Sequence, residues 1–295
     1  MDSSKHLPDI APTSIKSAIE QETKLKVDQR FRLPDLKGEP LSRRVLTSTY
    51  YDTPNYRLAR AKITLRRRTE HRKGAWQLKL PVDGARREIE IIDPAGSPPV
   101  ALQDLLVLHL HGEELLPVAT LRTWRTGVRV RGPNDGCADV TLDTVSVLKN
   151  RHVVQSFREV EIERRSGDDA LPLRLKEMLC ASGAEDHDGR PKLFRALELP
   201  APELLVPPST ESTVIEHVKF ALTKYVEVLR LHDPGVRLGG AIEDLHEMRV
   251  STRRLRAILR AARPLLVPGW PEALRSELDW LGEVLGPARD LDVQV

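Results

Sequence analysis

The chain has 295 residues, enough for one large domain or two ordinary ones, and its 40% hydrophobic and 30% charged content is that of a soluble globular protein. Two cysteines, Cys137 and Cys180, in no metal or redox spacing, give no support for a disulfide scaffold and fit a reducing cytoplasm. The net charge of +3 is small, but residues 41–79 hold eleven Lys and Arg against Asp52 and Glu70, an excess that calls for an anionic partner.

Residues 1–17 read as a flexible leader without the apolar core of a signal peptide, and no segment has the length and apolarity to span a bilayer. Period-2 patterns predict strands over 19–27, 46–51, 62–69, 75–80, 86–92, 122–131, 137–143 and 157–164. Helices are predicted over 100–109 and 170–181. Residues 18–198 then form one domain, and the Pro- and Ser-rich 199–212 reads as a linker. Beyond it the period turns helical over 213–231, 241–262 and 271–285, the last with Pro271 at its start, giving a second domain over 213–295. Three helices make a thin domain, and the second domain is expected to be incomplete.

Side chains two apart on a strand share a face. Glu20, Glu22, Lys24 and Lys26 therefore line one face of the first strand. Arg66 and Arg68 stand opposite Ile63 and Leu65; Lys79 and Gln77 stand opposite Trp76, Leu78 and Leu80. Arg86, Glu88 and Glu90 oppose Ile89 and Ile91, Asp139 and Asp143 oppose Val140 and Leu142, and Glu159, Glu161 and Glu163 oppose Val160 and Ile162. Two architectures satisfy one ionic and one aliphatic face per strand: an open sheet with its charges in water, or a closed barrel with charges around a hydrated tunnel.

Crowded carboxylates repel unless they are protonated or bridged by cations. Oxygen donors without a Cys or His pattern favour a hard ion, Mg²⁺ or Mn²⁺. Arg and Lys on neighbouring strands suit phosphate oxygens. This combination describes a metal–polyphosphate site better than a nucleic-acid groove, which would need exposed aromatics; the chain has four each of Phe, Tyr and Trp. No GxxxxGK loop is present, which disfavours a P-loop enzyme.

Glu20-x-Glu22-x-Lys24 is followed in order by Tyr50-Tyr51-Asp52-Thr53-Pro54, Leu65-Arg66-Arg67-Arg68, Gln77-Leu78-Lys79, Arg86-Arg87-Glu88, Leu142-Asp143, the Glu159/Glu161/Glu163 strand and Pro191-Lys192. Over residues 19 to about 197 this resembles the CYTH domain of the triphosphate tunnel metalloenzymes. The resemblance implies an α+β fold, a closed eight-stranded antiparallel barrel with flanking helices, whose tunnel binds triphosphate. It implies metal at Glu20, Glu22, Asp143, Glu161 and Glu163, and triphosphate oxygens at Lys24, Arg66, Arg68, Lys79, Arg125 and Lys192. Glu20, Glu22 and Lys24 would be the catalytic set. Arg67 points away from the tunnel in this register, and the choice of Arg125 over Arg122 and Arg129 rests on alignment.

The helical tail resembles the beginning of a CHAD domain through His246-x-x-Arg249-Val250-Ser251-Thr252-Arg253-Arg254-Leu255-Arg256 and Leu285-Gly286-Pro287-Ala288-Arg289-Asp290-Leu291-Asp292-Val293. His246, Arg249, Arg253 and Arg256 fall on one helical stripe, and with Arg289 they are the residues that the resemblance assigns to inorganic polyphosphate. A full CHAD domain has a second helical half, so a partial CHAD bundle is expected. The leading expectation is a cytoplasmic, Mg²⁺- or Mn²⁺-dependent triphosphatase acting on inorganic or nucleoside triphosphate, associated with polyphosphate, with no nucleic-acid or membrane partner. A CYTH-type adenylyl cyclase and a non-catalytic polyphosphate binder are the alternatives.

Overall fold

The computed structural model describes residues 15–71, 73–82, 85–93, 95–187, 191–199, 205–239 and 242–292, with side chains from residue 16 through residue 286. The 1–17 leader lies largely outside these residues and the 199–212 linker partly so. The chain divides into two compact units, residues 1–102 with 112–200, and residues 103–111 with 201–295.

The strands are β1 (Ile15–Glu20), β2 (Glu22–Val27), β3 (Glu39–Asp52), β4 (Thr64–Glu70), β5 (Lys73–Val82), β6 (Ala85–Ile91), β7 (Leu116–Arg131), β8 (Cys137–Lys149), β9 (His152–Ser166) and β10 (Glu185–Asp186). The helices are α1 (Arg57–Arg60), α2 (Val100–Asp104), α3 (Val107–Leu110), α4 (Ala170–Ala181), α5 (Lys192–Ala196), α6 (Val214–Arg237), α7 (Ile242–Ala261) and α8 (Trp270–Asp292). The helix predicted over 100–109 is thus two short ones, interrupted where Leu106 adopts φ −108°, ψ 0°.

All strands pair antiparallel in the order β1-β6-β5-β4-β3-β7-β8-β9-β2-β10. This corrects the closed eight-stranded barrel: among the described residues the ladder has ten strands and two ends. The reason lies at Gln21, where the run predicted as one strand divides. Its first half pairs with β6, placing Glu20 opposite Arg86, and its second half with β9, placing Glu22 opposite Glu163. The two-residue β10 adds to the other side of β2. Chain continuity through Gln21, whose carbonyl accepts from Arg164 N at 3.2 Å, carries the polypeptide from one side of the ladder to the other.

The aliphatic faces are buried. Leu25, Val140, Leu142, Val160 and Ile162 pack against Leu171, Leu175 and Leu179, the 4-residue stripe of α4. Trp76, Leu78, Ile89 and Ile91 are likewise buried on the face opposite the charges. Each fully buried side chain of this size contributes roughly 1.5–3 kcal/mol. Towards the other end of β7, β8 and β9 the charged face turns apolar: Leu121, Val145, Val147 and Phe157 pack with Leu193 and Phe194 of α5. That plug holds α5 in place.

In the helical unit, Thr213 and Glu216 form a capping box that starts α6. The helix runs past the predicted Leu231 and through Pro234, whose carbonyl still accepts from Leu238 N at 3.1 Å. Leu245, Met248, Thr252, Leu255 and Leu259 form the buried stripe of α7. No helix among the described residues is long and apolar enough to cross a membrane.

Candidate active site

Eight of the strands contribute charged side chains to one cavity of about 200 Å³. β1 and β2 supply Glu20, Glu22 and Lys24; β3 supplies Arg44 and Tyr50; β4 supplies Thr64, Arg66 and Arg68. Lys79 comes from β5, Arg86 and Glu88 from β6, Arg125 from β7, and Glu161, Glu163 and Arg165 from β9, while Lys192 of α5 completes the lining. Nine cationic side chains face five carboxylates, so the cavity is electropositive as a whole.

The charges are sorted locally. Lys24 Nζ lies 3.0 Å from Glu22 Oε1; Lys79 pairs with Glu20 and lies 3.0 Å from Glu88. Burial is the largest influence on Glu22 and opposes its charge, yet Lys24, Lys79 and Lys192 together outweigh it and hold the carboxyl down at about 2. Arg66 donates from Nε to Gln77 at 2.9 Å and from Nη1 to the Tyr50 hydroxyl at 3.1 Å. Arg125 donates to both oxygens of Asp143, at 2.8 and 2.7 Å, and also pairs with Glu161. This bidentate pair is favoured because the two residues stand directly opposite on β7 and β8.

Two groups lack a sufficient partner. Arg68 is half-buried beside Arg66 and Arg125; desolvation and those two cations push it down to about 10, and its Nε has no hydrogen-bond partner. Burial pushes Glu163 up to about 7, with Glu20 and Glu161 adding to the rise and Arg165, 2.5 Å away, opposing it. The first group wants an anion and the second a cation.

The predicted residues Glu20, Glu22, Lys24, Arg66, Arg68, Lys79, Arg125, Glu161, Glu163 and Lys192 all line this cavity. Asp143 does not; it is fully buried behind the wall, between Arg125 and Lys192. Sequence reasoning assigned no role to Arg44, Tyr50, Arg86, Glu88 or Arg165. Arg86 and Glu88 carried a signal, since they lie on the ionic face of β6. Arg44 and Arg165 fall outside the predicted strand limits, which stopped at 46 and 164. Asp52, a motif residue, is a fold residue: its carboxylate accepts from the amides of Thr53, Leu58 and Ala59 at 2.7–2.9 Å and so caps α1. Arg129 binds Asp139 instead of facing the cavity, and Arg122 is exposed.

The donor set tests the fit of a divalent ion. Asp143, Glu159 and Glu161 offer oxygens within 4.8 Å of one another, but Lys192 already lies 2.6–2.8 Å from all three. Glu20, Glu22 and Glu163 each spend one oxygen on Lys79, Lys24 and Arg165 respectively. Their oxygen-only donors, and the raised Glu163, fit a hard cation.

In the helical unit, His246, Arg249, Arg253 and Arg256 of α7 line a cavity of about 420 Å³ together with Asp279 and Glu283 of α8. Arg256 pairs with Asp279, and Arg249 donates to the Leu285 carbonyl at 2.8 Å. His246 and Arg253 are exposed. Arg289 lies in α8, with its side chain outside the described residues.

The CYTH domain family matches residues 18–187 and the CHAD domain family residues 220–295. Rv2226 of Mycobacterium tuberculosis strain H37Rv, an uncharacterized protein, is 32% identical over 271 residues, which cover 84% of this chain and 52% of that protein. MT2285 of strain CDC 1551 matches with the same figures, so the chain spans about half the length of these relatives. Among solved structures, HpAC1 from Hippeastrum, described as an adenylyl cyclase candidate with a dominant triphosphatase activity, is 18% identical with a TM-score of 0.41, covering 62% of this chain and 99% of that one. The PH1819 protein from Pyrococcus horikoshii is 19% identical with a TM-score of 0.36, covering 61% and 96%. The chain belongs to the CYTH domain family, and its CYTH domain is followed by a CHAD domain.

Proposed function

We propose that this protein hydrolyses triphosphate with the help of a divalent metal ion, Mg²⁺ or Mn²⁺, and that its CHAD part binds inorganic polyphosphate. The observation that carries the first reading is the pairing of two opposite deficits in one cavity, an unsatisfied arginine and a proton-holding carboxyl. A polyphosphate with a bound dication satisfies both; a plain anion or a plain cation satisfies one.

Arg66, Arg68, Arg86 and Arg125, with Lys24 and Lys79, bind and orient the phosphate oxygens. Glu20, Glu22 and Glu163 would hold the ion. When bound, the ion neutralises phosphate charge and orients the attacking water. The water oxygen bonds to the terminal phosphorus as the bridging P–O bond breaks, leaving orthophosphate and diphosphate. The arginines stabilise the negative charge that moves onto the leaving oxygen. Among the described lining residues the one aromatic side chain is Tyr50, which is 2% exposed with its hydroxyl engaged by Arg66, so its ring is not open to a base. That favours triphosphate hydrolysis over cyclisation of ATP.

The test is phosphate release from inorganic triphosphate, ATP and long-chain polyphosphate with Mg²⁺, Mn²⁺ or EDTA, beside Glu22→Ala. Metal-dependent release lost in Glu22→Ala supports the reading. No turnover with any metal, alongside retained polyphosphate binding, makes the chain an anchoring module instead.

A further inference from the structure

Gln77 lies within β5 and is 3% exposed, so its amide has to find its partners inside the protein. The ladder decides which ones. Antiparallel pairing sets Gln77 directly opposite Arg66 on β4 and directly opposite Glu90 on β6, with Glu88 two residues along the same face. A guanidinium only donates and an ionised carboxylate only accepts, so the amide fits one way round. Its oxygen accepts from Arg66 Nε at 2.9 Å, and its nitrogen donates to Glu88 Oε1 at 2.9 Å and to Glu90 Oε2 at 2.8 Å.

The acids are themselves fixed. Glu88 gives its other oxygen, Oε2, to Lys79 Nζ at 3.0 Å, and although burial opposes its charge, Lys79 and Arg66 hold its carboxyl below the usual carboxylate range. On the far side of the guanidinium, Arg66 Nη1 donates to the Tyr50 hydroxyl at 3.1 Å. The sequence of contacts Lys79–Glu88–Gln77–Arg66–Tyr50 thus ends on a cation that, unlike Gln77, lines the cavity. A carboxylate at position 77 would also accept from Arg66, but it would cancel that charge and crowd a third acid against Glu88 and Glu90. An apolar side chain would leave Arg66 and both acids without this partner. The neutral amide holds the guanidinium and leaves its charge for a ligand.

We infer that Gln77 is a positioning residue for Arg66, its amide orienting the guanidinium towards phosphate oxygens from the anchored Glu88 and Glu90 without cancelling its charge. The phosphate part rests on the triphosphate reading above; the ordering of Arg66 by Gln77 does not.

Calorimetric titration at pH 8 with a non-hydrolysed triphosphate analogue and Mg²⁺ tests it on Gln77→Met and Gln77→Glu, each alone and combined with Arg66→Gln. Each single variant is expected to bind the analogue roughly ten- to a hundredfold more weakly than the wild type, and neither to weaken binding further once Arg66 is replaced. Wild-type affinity in both variants overturns the inference, as does the same loss with and without Arg66. Where Gln77→Met does not fold, Gln77→Glu, whose carboxylate still accepts from Arg66, is the variant compared, and wild-type affinity there overturns it. The Arg66 ¹⁵Nε–¹H signal of the ligand-free protein reads orientation alone. It is expected to exchange slowly with solvent in the wild type and in Gln77→Glu and fast in Gln77→Met; equal exchange in all three overturns the inference. A wild type that binds no analogue, beside an Arg66 Nε–H whose protection is lost in Gln77→Met, supports the positioning role and overturns the triphosphate reading alone.

Discussion

Arg68 on β4 and Glu163 on β9 face the same cavity with opposite deficits: the guanidinium is held down at about 10 beside Arg66 and Arg125, and the carboxyl is held up at about 7 by burial. Each deficit is relieved by the ligand that aggravates the other. Inorganic triphosphate and Mg²⁺ are therefore expected to bind cooperatively, each raising the affinity for the other by the same factor, as linkage requires. Calorimetric titration of a non-hydrolysed triphosphate analogue with and without Mg²⁺ measures the factor. Equal affinities would show that the two groups do not share a ligand.

Arg68→Met separates binding from folding. Losing a charged hydrogen-bonding partner for phosphate costs about 1.5–3 kcal/mol, or roughly ten- to a hundredfold in triphosphate affinity. Ligand-free stability is expected not to fall, because the removed cation lies half-buried among like charges. A thermal midpoint that drops together with affinity would place Arg68 in the fold instead of the site.

Asp143→Ala has the reverse signature. Asp143 is fully buried between Arg125 and Lys192, and removing one member of such a cluster leaves buried cations uncompensated, at a cost of about 3–5 kcal/mol. Denaturant unfolding is expected to show that loss, while the Mn²⁺ stoichiometry of whatever remains folded stays at the wild-type number. A lost Mn²⁺ site with unchanged stability would make Asp143 a metal ligand.

The difference between these acids marks how far the sequence is legible. Alternation placed Glu20, Glu22, Lys24, Arg66, Arg68, Lys79, Glu161 and Glu163 on charged faces, because a strand repeats every two residues whatever it pairs with. Alternation carries no information about partners. The division of the first strand at Gln21 depends on β6 and β9 reaching opposite halves of one run, which is a property of the whole ladder. Glu159 has the same local pattern as Glu161, yet it contacts Lys192 and Arg195, which arrive on a helix some thirty residues later. Arg44 was missed because the β3–β7 register shifts between Leu41 and Arg44, which breaks the period that prediction relies on. The helix predicted over 213–231 runs on through Pro234 to Arg237 as α6.

Glu163 gives the ligand-free protein a signed pH dependence. Its folded pKa lies above its ordinary value of 4.5, so the stability that it contributes is fully present below 4.5 and is lost as pH rises through about 7. Glu163→Gln removes the titration. The thermal midpoint of Glu163→Gln minus that of the wild type, both without metal, is expected to grow as pH rises from 5 to 8, through the interval between the two pKa values. Saturating Mg²⁺ is expected to stabilise the wild type alone at pH 8. A difference that stays flat with pH removes Glu163 as the strained carboxyl.

The helical unit divides its basic stripe between structure and solvent. Arg256 is paired with Asp279, and Arg249 ties α7 to α8 through the Leu285 carbonyl, whereas Arg253 is exposed at the mouth of the same cavity. Arg253 is therefore the side chain expected to meet a polyanion without first breaking an ion pair. Each phosphate neutralised by an arginine releases counterions, so Arg253→Ala is expected to weaken long-chain polyphosphate binding and to lower the slope of log K against log salt by roughly one. Arg256→Ala is expected to change the slope less and thermal stability more, since it leaves Asp279 without its partner. Fluorescence titrations across a salt series separate the two. Identical slopes for wild type and Arg253→Ala would remove Arg253 from the polyphosphate surface.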